Sequence, residues 1–299
     1  MARKLGQIST GAPLERPKAN ESKTGESKAR PDKHFLPTWI RRRMMRHARV
    51  YDAYLYWTQV RRLLYFIGTG RNFFKSPETS LNIYQTKGDY EHQDYMNGSV
   101  QAVINGQIHR ISHREARERY CAYLFEEIDR ILPATGKLRI LEVGCGNCIN
   151  LVLLKQRYGE RIELTGHDIS ERRIAVAKEF FGDKLDGITF AVKSATDAVP
   201  AEEESQFDFV FSMHCLEQIP FGVLPAVQGM YKRTRSRVVM IEPVFDFARP
   251  TQKLFLIYSD YTRTLLPTVR YLGYKILRAE PLNIESSLKN QSSIIVVEK

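Results

Sequence analysis

The sequence predicts an α/β fold: a doubly wound, mostly parallel sheet of seven strands, with an antiparallel pair at its C-terminal edge and a helical extension at the N-terminus. From residue 138 onward, short apolar runs alternate with segments whose apolar residues recur every three or four positions. This alternation is typical of parallel strands joined by helical crossovers that cover both faces of a sheet. The last two runs, 274–282 and 292–299, lie too close together for a helical crossover, so we expect them to pair antiparallel.

Three regions are predicted along the chain. Residues 1–33 are rich in charged residues, Ser, Gly and Pro and nearly lack large apolar side chains, which predicts a disordered polar tail. Residues 34–111 form a basic extension, and residues 112–299 form the main domain. The basic charge belongs to the beginning of the chain, because residues 1–75 contain 17 Lys or Arg against 5 Asp or Glu and account for the whole net charge of +11.

The extension begins with a predicted basic amphipathic helix. Its apolar residues recur at helical spacings, at Ile40, Met44, Ala48, Tyr51 and Leu55. Its arginines fall largely on other faces, at Arg42, Arg43, Arg46 and Arg49. Four interpretations of residues 38–75 stay open: a helix packed on the main domain, a helix on a membrane surface, a helix that contacts phosphate groups, and a lid over an active site.

A hairpin and a helix are expected before the sheet. Asn105-Gly106 lies between two short β-prone runs, which is the preferred chemistry of a tight type I′ turn. Ser112 precedes Glu115 by three residues, a capping box that should begin a helix. That helix is expected to end before Pro133, with apolar residues at Tyr120, Leu124, Ile128 and Leu132.

The sheet itself follows as regular strand and helix units. The five parallel strands are predicted at 138–144, 161–168, 187–194, 207–214 and 236–243. The first strand is followed by a helix that ends at Gly159, and the second by a helix that begins with Ser170 as its N-cap.

Composition narrows the class of protein. An apolar fraction of 43% and a charged fraction of 26% are ordinary for a globular protein. Four cysteines are too few and too unevenly spaced for a disulfide-stapled secreted fold. No run reaches the roughly 18 apolar residues of a spanning helix, and the first residues lack the apolar stretch of a secretory signal. We therefore expect a cytoplasmic protein, with membrane-peripheral binding as an option through its basic helix.

The segment LEVGCGNCINL, residues 141–151, holds the first candidate site. Gly144 and Gly146 lack a Cβ atom, so a ligand can approach the backbone closely, and the helix that begins near Asn147 directs free N–H groups toward it. Asp168 follows about 20 residues later at the end of the second strand, where an acidic residue holds the hydroxyls of a ribose. This spacing predicts a nucleotide-type ligand.

The same segment allows a second interpretation through its cysteines. Cys145 and Cys148 form a C-x-x-C pair that could be a redox dithiol, or could approach His214 and Cys215 to give four ligands for zinc. Small cysteines in such a turn are more often packed side chains than ligands. We therefore favour the glycines and expect no metal.

Four segments in this order resemble the class I S-adenosylmethionine-dependent methyltransferases. LEVGCGNC is similar to the family's acidic residue and G-x-G-x-G loop, and LTGHDIS to its second-strand motif. KSATDAVP resembles the stretch that borders the adenine, and FDFVFSMHCLEQIP resembles the fourth strand with its "LEHIP"-type continuation. The resemblance covers most of residues 115–299 and implies a Rossmann-like methyltransferase fold, closed by an antiparallel pair, with S-adenosylmethionine as cofactor.

The resemblance also implies a role for individual residues. Glu142 would help to hold the ammonium end of the methionine, Asp168 would bind the ribose hydroxyls, and Ile169 would pack on the adenine. The loop Gly144, Cys145, Gly146 and Asn147 would line the methionine and ribose, and Ser194, Ala195 and Thr196 would border the adenine. His214 would also line the pocket. Two departures are Cys148 in place of the third glycine and Ser194 in place of an acidic residue.

The acceptor side is less defined. His214 is a candidate general base because imidazole can accept a proton near neutral pH, and Glu217 and Glu242 are further candidates at the carboxyl end of the sheet. His214 could instead only line the pocket, and Glu217 could instead cap the helix that follows. Tyr84, Tyr90, Tyr95 and the segment YSDYTRT at 258–264 lie where the family builds its substrate cover.

The reaction predicted is methyl transfer to an O or N atom of a small-molecule, lipid-linked or glycan acceptor. SMHC stands where enzymes that methylate exocyclic amines of nucleic acids carry an Asn/Asp-Pro-Pro-Tyr motif, so DNA is not expected as a substrate. Two alternatives stay open: an RNA methyltransferase that uses its basic helix, and an inactive scaffold protein that keeps the fold.

Overall fold

In the computed structural model of this chain, the residues described are 98–105, 107–133, 136–259, 261–285 and 291–299, with ten positions between Ile40 and Leu64. The polar tail and the three tyrosines expected to cover the substrate lie outside these residues. So do Gly106 and most of the arginines named for the basic helix. Within the described part, no helix has the length and apolar character needed to cross a bilayer.

A seven-stranded mixed sheet forms the centre of the protein, as predicted. Its strands, in chain order, are β3 (Leu138–Val143), β4 (Ile162–Asp168), β5 (Thr189–Val192), β6 (Phe207–Met213), β7 (Thr234–Pro243), β8 (Lys275–Pro281) and β10 (Ser292–Glu298). Their order across the sheet is β5-β4-β3-β6-β7-β10-β8. The first five pair in parallel, and β10 inserts antiparallel between β7 and β8, which confirms the antiparallel edge pair.

The sheet order places a crevice at the carboxyl ends of β3 and β6. The chain moves outward from β3 through β4 to β5, and then returns to β6 on the other side of β3. In open α/β sheets, ligands bind where the strand order reverses in this way. Every candidate site residue from Glu142 to Glu242 lies at the end of a strand or in a loop on this edge.

Helices cover both faces of the sheet. They are α1 (His113–Asp129), α2 (Ile149–Tyr158), α3 (Glu171–Phe181), α4 (Val223–Arg233), α5 (Pro250–Tyr258) and α6 (Leu265–Tyr271). The predicted caps are confirmed, since Ser112 accepts a hydrogen bond from the Glu115 amide at 3.0 Å and Ser170 accepts one from the Arg173 amide at 3.3 Å. Helix α1 ends at Asp129, three residues before the predicted end, in a turn through Leu132.

A second, smaller sheet joins the two ends of the described chain. Strands β1 (Ser99–Ile104) and β2 (Gln107–Ser112) form the predicted hairpin, with Asn105 in the left-handed conformation at φ +50°. Strand β9 (Ile284–Glu285) pairs antiparallel with β1, an association that the sequence did not predict. Before this sheet, every described residue between Ile40 and Leu64 is helical.

Candidate active site

The glycine loop after β3 is held open by backbone geometry. Gly144 has φ +75° and Gly146 has φ +50°, a region that favours glycine. The amides of Gly144 and Cys145 both donate to the carbonyl of His167, at 2.7 and 2.9 Å, which fixes the loop against β4. A Cβ atom on Gly146 would lie 2.5 Å from the Arg173 guanidinium, which is the end of a flexible side chain and can move, so it is the positive φ that favours glycine here.

Cys148 replaces the third glycine without changing the backbone shape of the loop. Its φ of +61° lies in the left-handed region, immediately before α2. This conformation costs a non-glycine residue roughly 1–2 kcal/mol. The thiol is fully buried and lies 3.7 Å from the carbonyl of Gly146. The loop therefore keeps its shape at the expense of local strain, of the kind often found at functional sites.

Asp168 sits directly behind the glycine loop. One carboxylate oxygen accepts from the Gly146 amide at 2.7 Å, and the other accepts from the Ser170 amide at 2.9 Å. The Arg173 guanidinium is 3.8 Å away. Because each carboxylate oxygen has two acceptor positions, Asp168 retains the capacity to bind ribose hydroxyls.

Glu142 forms the floor of the site. Its side chain is fully buried at the end of β3, where Oε1 accepts from Asn150 Nδ2 at 2.7 Å. No donor among the described residues reaches Oε2. Burial raises the pKa of this carboxyl to about 8, against weaker opposing effects from Asn150 and Arg117.

This arrangement fits the cofactor that the sequence implies. A buried acceptor without a partner is costly unless a ligand supplies the donor. The ammonium group of S-adenosylmethionine is such a donor, and the glycine loop between Glu142 and Asp168 leaves the backbone open to it.

The loop after β5 completes the cofactor side. The Lys193 amide donates to the carbonyl of Asp168 at 3.0 Å, which brings residues 194–196 next to the glycine loop. The Ser194 amide donates to Asp197 at 2.8 Å, so the acidic group missing from position 194 is present three residues later. Asp197 was not among the predicted site residues, although it lies within KSATDAVP. Ile169 is half-buried beside Asp168, and its contact with the adenine stays a prediction.

His214 lies across the crevice from Glu142, at φ +57°. Its Nδ1 is 3.4 Å from the Arg117 guanidinium, and because arginine can only donate, Nδ1 must accept. Its Nε2 therefore carries the proton and donates to Ser292 Oγ at 2.7 Å. The ring also packs edge-on against Tyr120, with centroids 5.0 Å apart.

These contacts bear on His214 as a general base. Burial, and then the charge of Arg117, lower the pKa of His214 to about 3. The ring is neutral near pH 7, with both nitrogens already engaged by the chain. General-base catalysis by His214 stays a prediction, and the geometry favours the alternative that His214 lines the pocket and positions its neighbours.

The two candidate glutamates differ from His214 in their partners. Glu242 is fully buried at the end of β7, and burial raises its pKa to about 7. Its carboxylate accepts from Ser212 Oγ at 2.9 Å and from the amides of Cys215, Leu216 and Glu217 at 3.1, 3.1 and 3.2 Å. Glu242 thus holds the turn after β6 in place, and Glu217 is one of the residues held. Their predicted catalytic roles stay predictions.

A contact that the sequence did not predict fixes the same turn from the other side. Thr262, within the segment 258–264, donates from its amide to the Glu217 carbonyl at 2.8 Å and from its hydroxyl to the Leu216 carbonyl at 2.7 Å. The segment expected to cover the substrate is therefore attached to the turn after β6. Tyr261 of this segment packs edge-on against Phe255 of α5.

The cysteines lie in packed positions around the glycine loop. Cys145 points toward Gly166 of β4, and Cys215 packs on Gly144, where a Cβ atom would lie 2.1 Å from its sulfur. Hydrogen bonding to Cys148, together with burial, raises the pKa of the Cys145 thiol. Across the described residues, no group of three or more His, Cys, Asp or Glu side chains is arranged to hold a metal ion.

Comparison with known proteins agrees with this fold. Residues 140–236 match a family described as "Methyltransferase domain". The sequence matches no curated protein. In solved structures, the fold is similar to magnesium protoporphyrin IX methyltransferase from Synechocystis PCC 6803 with bound S-adenosylmethionine, at 16% identity over 77% of this chain and 100% of the other, with a TM-score of 0.51.

Two further structures are similar. The same Synechocystis enzyme with bound S-adenosylhomocysteine is 15% identical over 75% of this chain and 100% of the other, with a TM-score of 0.53. A methyltransferase from Aquifex aeolicus is 14% identical over 58% of this chain and 88% of the other, with a TM-score of 0.44. At these identities the solved structures show the fold alone, and the family match covers residues 140–236.

Proposed function

We propose that this chain, whose residues 140–236 match a methyltransferase domain, uses S-adenosylmethionine to methylate an oxygen or nitrogen atom of a small-molecule, lipid-linked or glycan acceptor. The observation that supports this proposal is the buried Glu142 Oε2, on the strand that leads into the glycine loop, which has no donor among the described residues. A buried carboxylate oxygen without a donor supports a site that binds a cationic ligand. It argues against an inactive protein that keeps the fold only as a scaffold.

The cofactor side would act by orientation. S-adenosylmethionine brings its own electrophilic methyl carbon, so the chain needs to align it with a nucleophile. Glu142 would bind the ammonium end, and Asp168 would fix the ribose while its own carboxylate is held by the Gly146 and Ser170 amides. Two fixed points on one small molecule restrict its rotation, which favours in-line transfer.

The acceptor side would act by shape. The turn after β6 is held by Glu242 from below and by Thr262 from the side, so it forms a rigid wall next to the cofactor. The neutral ring of His214 is part of this wall, and it is hydrogen-bonded to Arg117 and Ser292. Where enzymes that methylate nucleic-acid amines carry Asn or Asp, this chain has Ser212, which supports a different acceptor class.

The magnesium protoporphyrin IX methyltransferase is named for a small-molecule acceptor. At 16% identity this is a precedent for such an acceptor on this fold and does not identify the acceptor of this chain.

The test is a transfer assay with S-adenosylmethionine that carries a tritiated methyl group. The purified full-length protein is incubated with separate fractions of cellular small molecules, lipids, glycans and RNA, with Asp168→Ala as the inactive control. We expect label in one of the first three fractions and none with Asp168→Ala. Mild alkali then separates the products, because methyl esters are cleaved whereas N-methyl groups and methyl ethers survive. Label confined to RNA, or equal labelling by both proteins, would overturn the proposal.

A further inference from the structure

Four described residues between Val50 and Leu64 expose large apolar side chains. Val50, Trp57 and Leu64 are each helical and are 49%, 67% and 59% exposed, and their spacing of seven residues is one that keeps side chains on the same side of a helix. Tyr56, at 42% exposed, is adjacent to the same side. These four are among the ten most exposed large apolar side chains of the described residues. An exposed apolar group of this kind usually marks a contact surface.

Other described residues of this segment are covered by the protein. Tyr54 is 7% exposed, and Ile40 and Met44 are half-buried. Spacings of 4 and 14 residues from Ile40 bring these three to the same side of a helix. Contacts within the protein therefore account for the burial of Tyr54, but not for the exposure of Trp57.

The charge of the segment indicates what contacts this face. Residues 38–64 contain seven arginines and a single acidic residue, Asp52. Arg49, whose position the structure describes, is exposed next to Val50. A basic segment that displays Trp and Leu is typical of helices that lie in the headgroup region of an anionic bilayer. Trp in particular favours that region, because its ring is apolar and its N–H is polar.

We infer that residues 40–64 dock this protein onto anionic membrane surfaces, with Val50, Trp57 and Leu64 inserted among the lipids and the arginines in contact with the headgroups. Phosphate contact with RNA would use the arginines, but it would leave three aliphatic and aromatic side chains in water. Docking on a membrane uses both the arginines and the exposed apolar side chains. The inference goes beyond methyl transfer and does not depend on the identity of the acceptor.

The experiment measures flotation of the full-length protein with vesicles of phosphatidylcholine alone and of phosphatidylcholine with 30% phosphatidylserine. The test variant is Val50→Ser/Trp57→Ser/Leu64→Ser. Its matched control is Tyr271→Ser/Leu277→Ser, which removes exposed apolar side chains elsewhere, since Tyr271 is 82% and Leu277 is 43% exposed. None of these side chains is in the core, so all proteins should fold. Calorimetric binding of S-adenosylmethionine checks each of them independently.

We expect binding to the anionic vesicles at low salt and little binding to phosphatidylcholine alone. The test variant should lose at least about tenfold in partitioning, because three apolar side chains no longer insert, whereas the control should stay within about twofold. High salt should weaken binding by screening the arginines. In a Trp39→Phe protein, Trp57 is the sole tryptophan, and its emission should shift to shorter wavelength on anionic vesicles.

Three results would overturn the inference. One is the absence of vesicle binding by a protein that binds S-adenosylmethionine. Another is equal vesicle binding by the test variant and wild type. The third is no vesicle binding together with either tight, salt-sensitive binding of RNA or a dimer that the test variant converts to monomer. Because S-adenosylmethionine binding is read separately, failure of docking is distinguishable from failure of the proposed function.

Discussion

The ends of β3 and β7 present the same residue in two different states. Glu142 and Glu242 are both fully buried at the carboxyl edge of the sheet, and burial raises the pKa of each, to about 8 and about 7. Glu242 accepts four hydrogen bonds from the chain, three of them from backbone amides. Glu142 accepts one, and its Oε2 has no donor among the described residues.

The difference separates a structural carboxylate from one that is available to a ligand. Chemical type, burial and strand position do not distinguish the two residues, so only the inventory of donors does. Glu242 holds the turn after β6, and Glu142 is the residue that we propose binds the cofactor. The expectation that Glu242 takes part in catalysis is thus less well supported than the expectation that Glu142 binds the cofactor.

The largest expected effect comes from removing the structural carboxylate. Glu242→Ala would leave three backbone amides and the Ser212 hydroxyl without their acceptor, and each such group costs about 1–3 kcal/mol when buried. We expect the free energy of unfolding to fall by at least about 3 kcal/mol, as measured by urea denaturation. Glu242→Gln, which retains one acceptor oxygen, should lose less. Equal stability of Glu242→Ala and wild type would show that the turn does not depend on this residue.

The second-largest effect is expected on the affinity for S-adenosylmethionine. Asp168→Ala should weaken S-adenosylmethionine binding by at least about 100-fold, because a carboxylate that accepts two hydroxyl hydrogen bonds contributes about 1.5–3 kcal/mol for each charged bond. Calorimetric titration gives the dissociation constant. Asp183→Ala, at an exposed turn after α3, is the matched control and should bind like wild type. An equal loss of S-adenosylmethionine affinity in both variants would contradict the assignment of Asp168 to ribose binding.

A third prediction uses protonation of Glu142. With a pKa near 8, this carboxyl is mostly protonated at pH 7, and a bound ammonium group would favour its ionised form. Binding of S-adenosylmethionine near pH 7 should therefore release close to one proton in wild type and none in Glu142→Gln. Calorimetry in phosphate and in Tris, which differ in ionisation enthalpy, measures this release. The affinity of Glu142→Gln should be lower by about tenfold. Equal proton release by both proteins would exclude Glu142 as the source.

The same residue predicts how stability depends on pH. The pKa of Glu142 is higher in the folded protein than the ordinary value of 4.5, so the folded state holds more protons between these two values. Stability from this group is therefore present below pH 4.5 and is lost as pH rises toward 8. Glu142→Gln does not titrate, so its stability relative to wild type should increase over this range in urea denaturation. A constant difference would contradict the raised pKa.

The smallest effect is expected at Cys148. Cys148→Gly removes a left-handed residue that costs roughly 1–2 kcal/mol, but it also removes a buried thiol. The two terms oppose each other, so we expect a change in stability within about 1 kcal/mol and S-adenosylmethionine affinity close to wild type. Cys148→Ser, which keeps a side chain of similar size, tests the cysteine interpretation. Loss of a bound metal from Cys148→Ser would restore the zinc site as an explanation.

Much of the fold was predictable because its signals are local. The alternation of strands and helices, the caps at Ser112 and Ser170 and the hairpin at Asn105 each depend on residues within one turn or one strand. The resemblance to methyltransferases added S-adenosylmethionine as the cofactor and a role for individual residues. The pairing of β9 with β1 was not predictable, because two residues of strand carry too little pattern to identify their partner.

The sequence by itself determined where a cofactor could bind. A glycine loop between a strand and a helix, followed by an acidic residue at the end of the next strand, has little conformational freedom, so its residue types already specify its geometry. Tertiary structure alone decided which buried glutamate stays available. The donors to Glu242 arrive from a turn 25 to 27 residues away, and the groups around His214 come from α1 and β10, 97 and 78 residues away. Contacts of that range depend on how the whole sheet is assembled, which no local pattern in the sequence encodes.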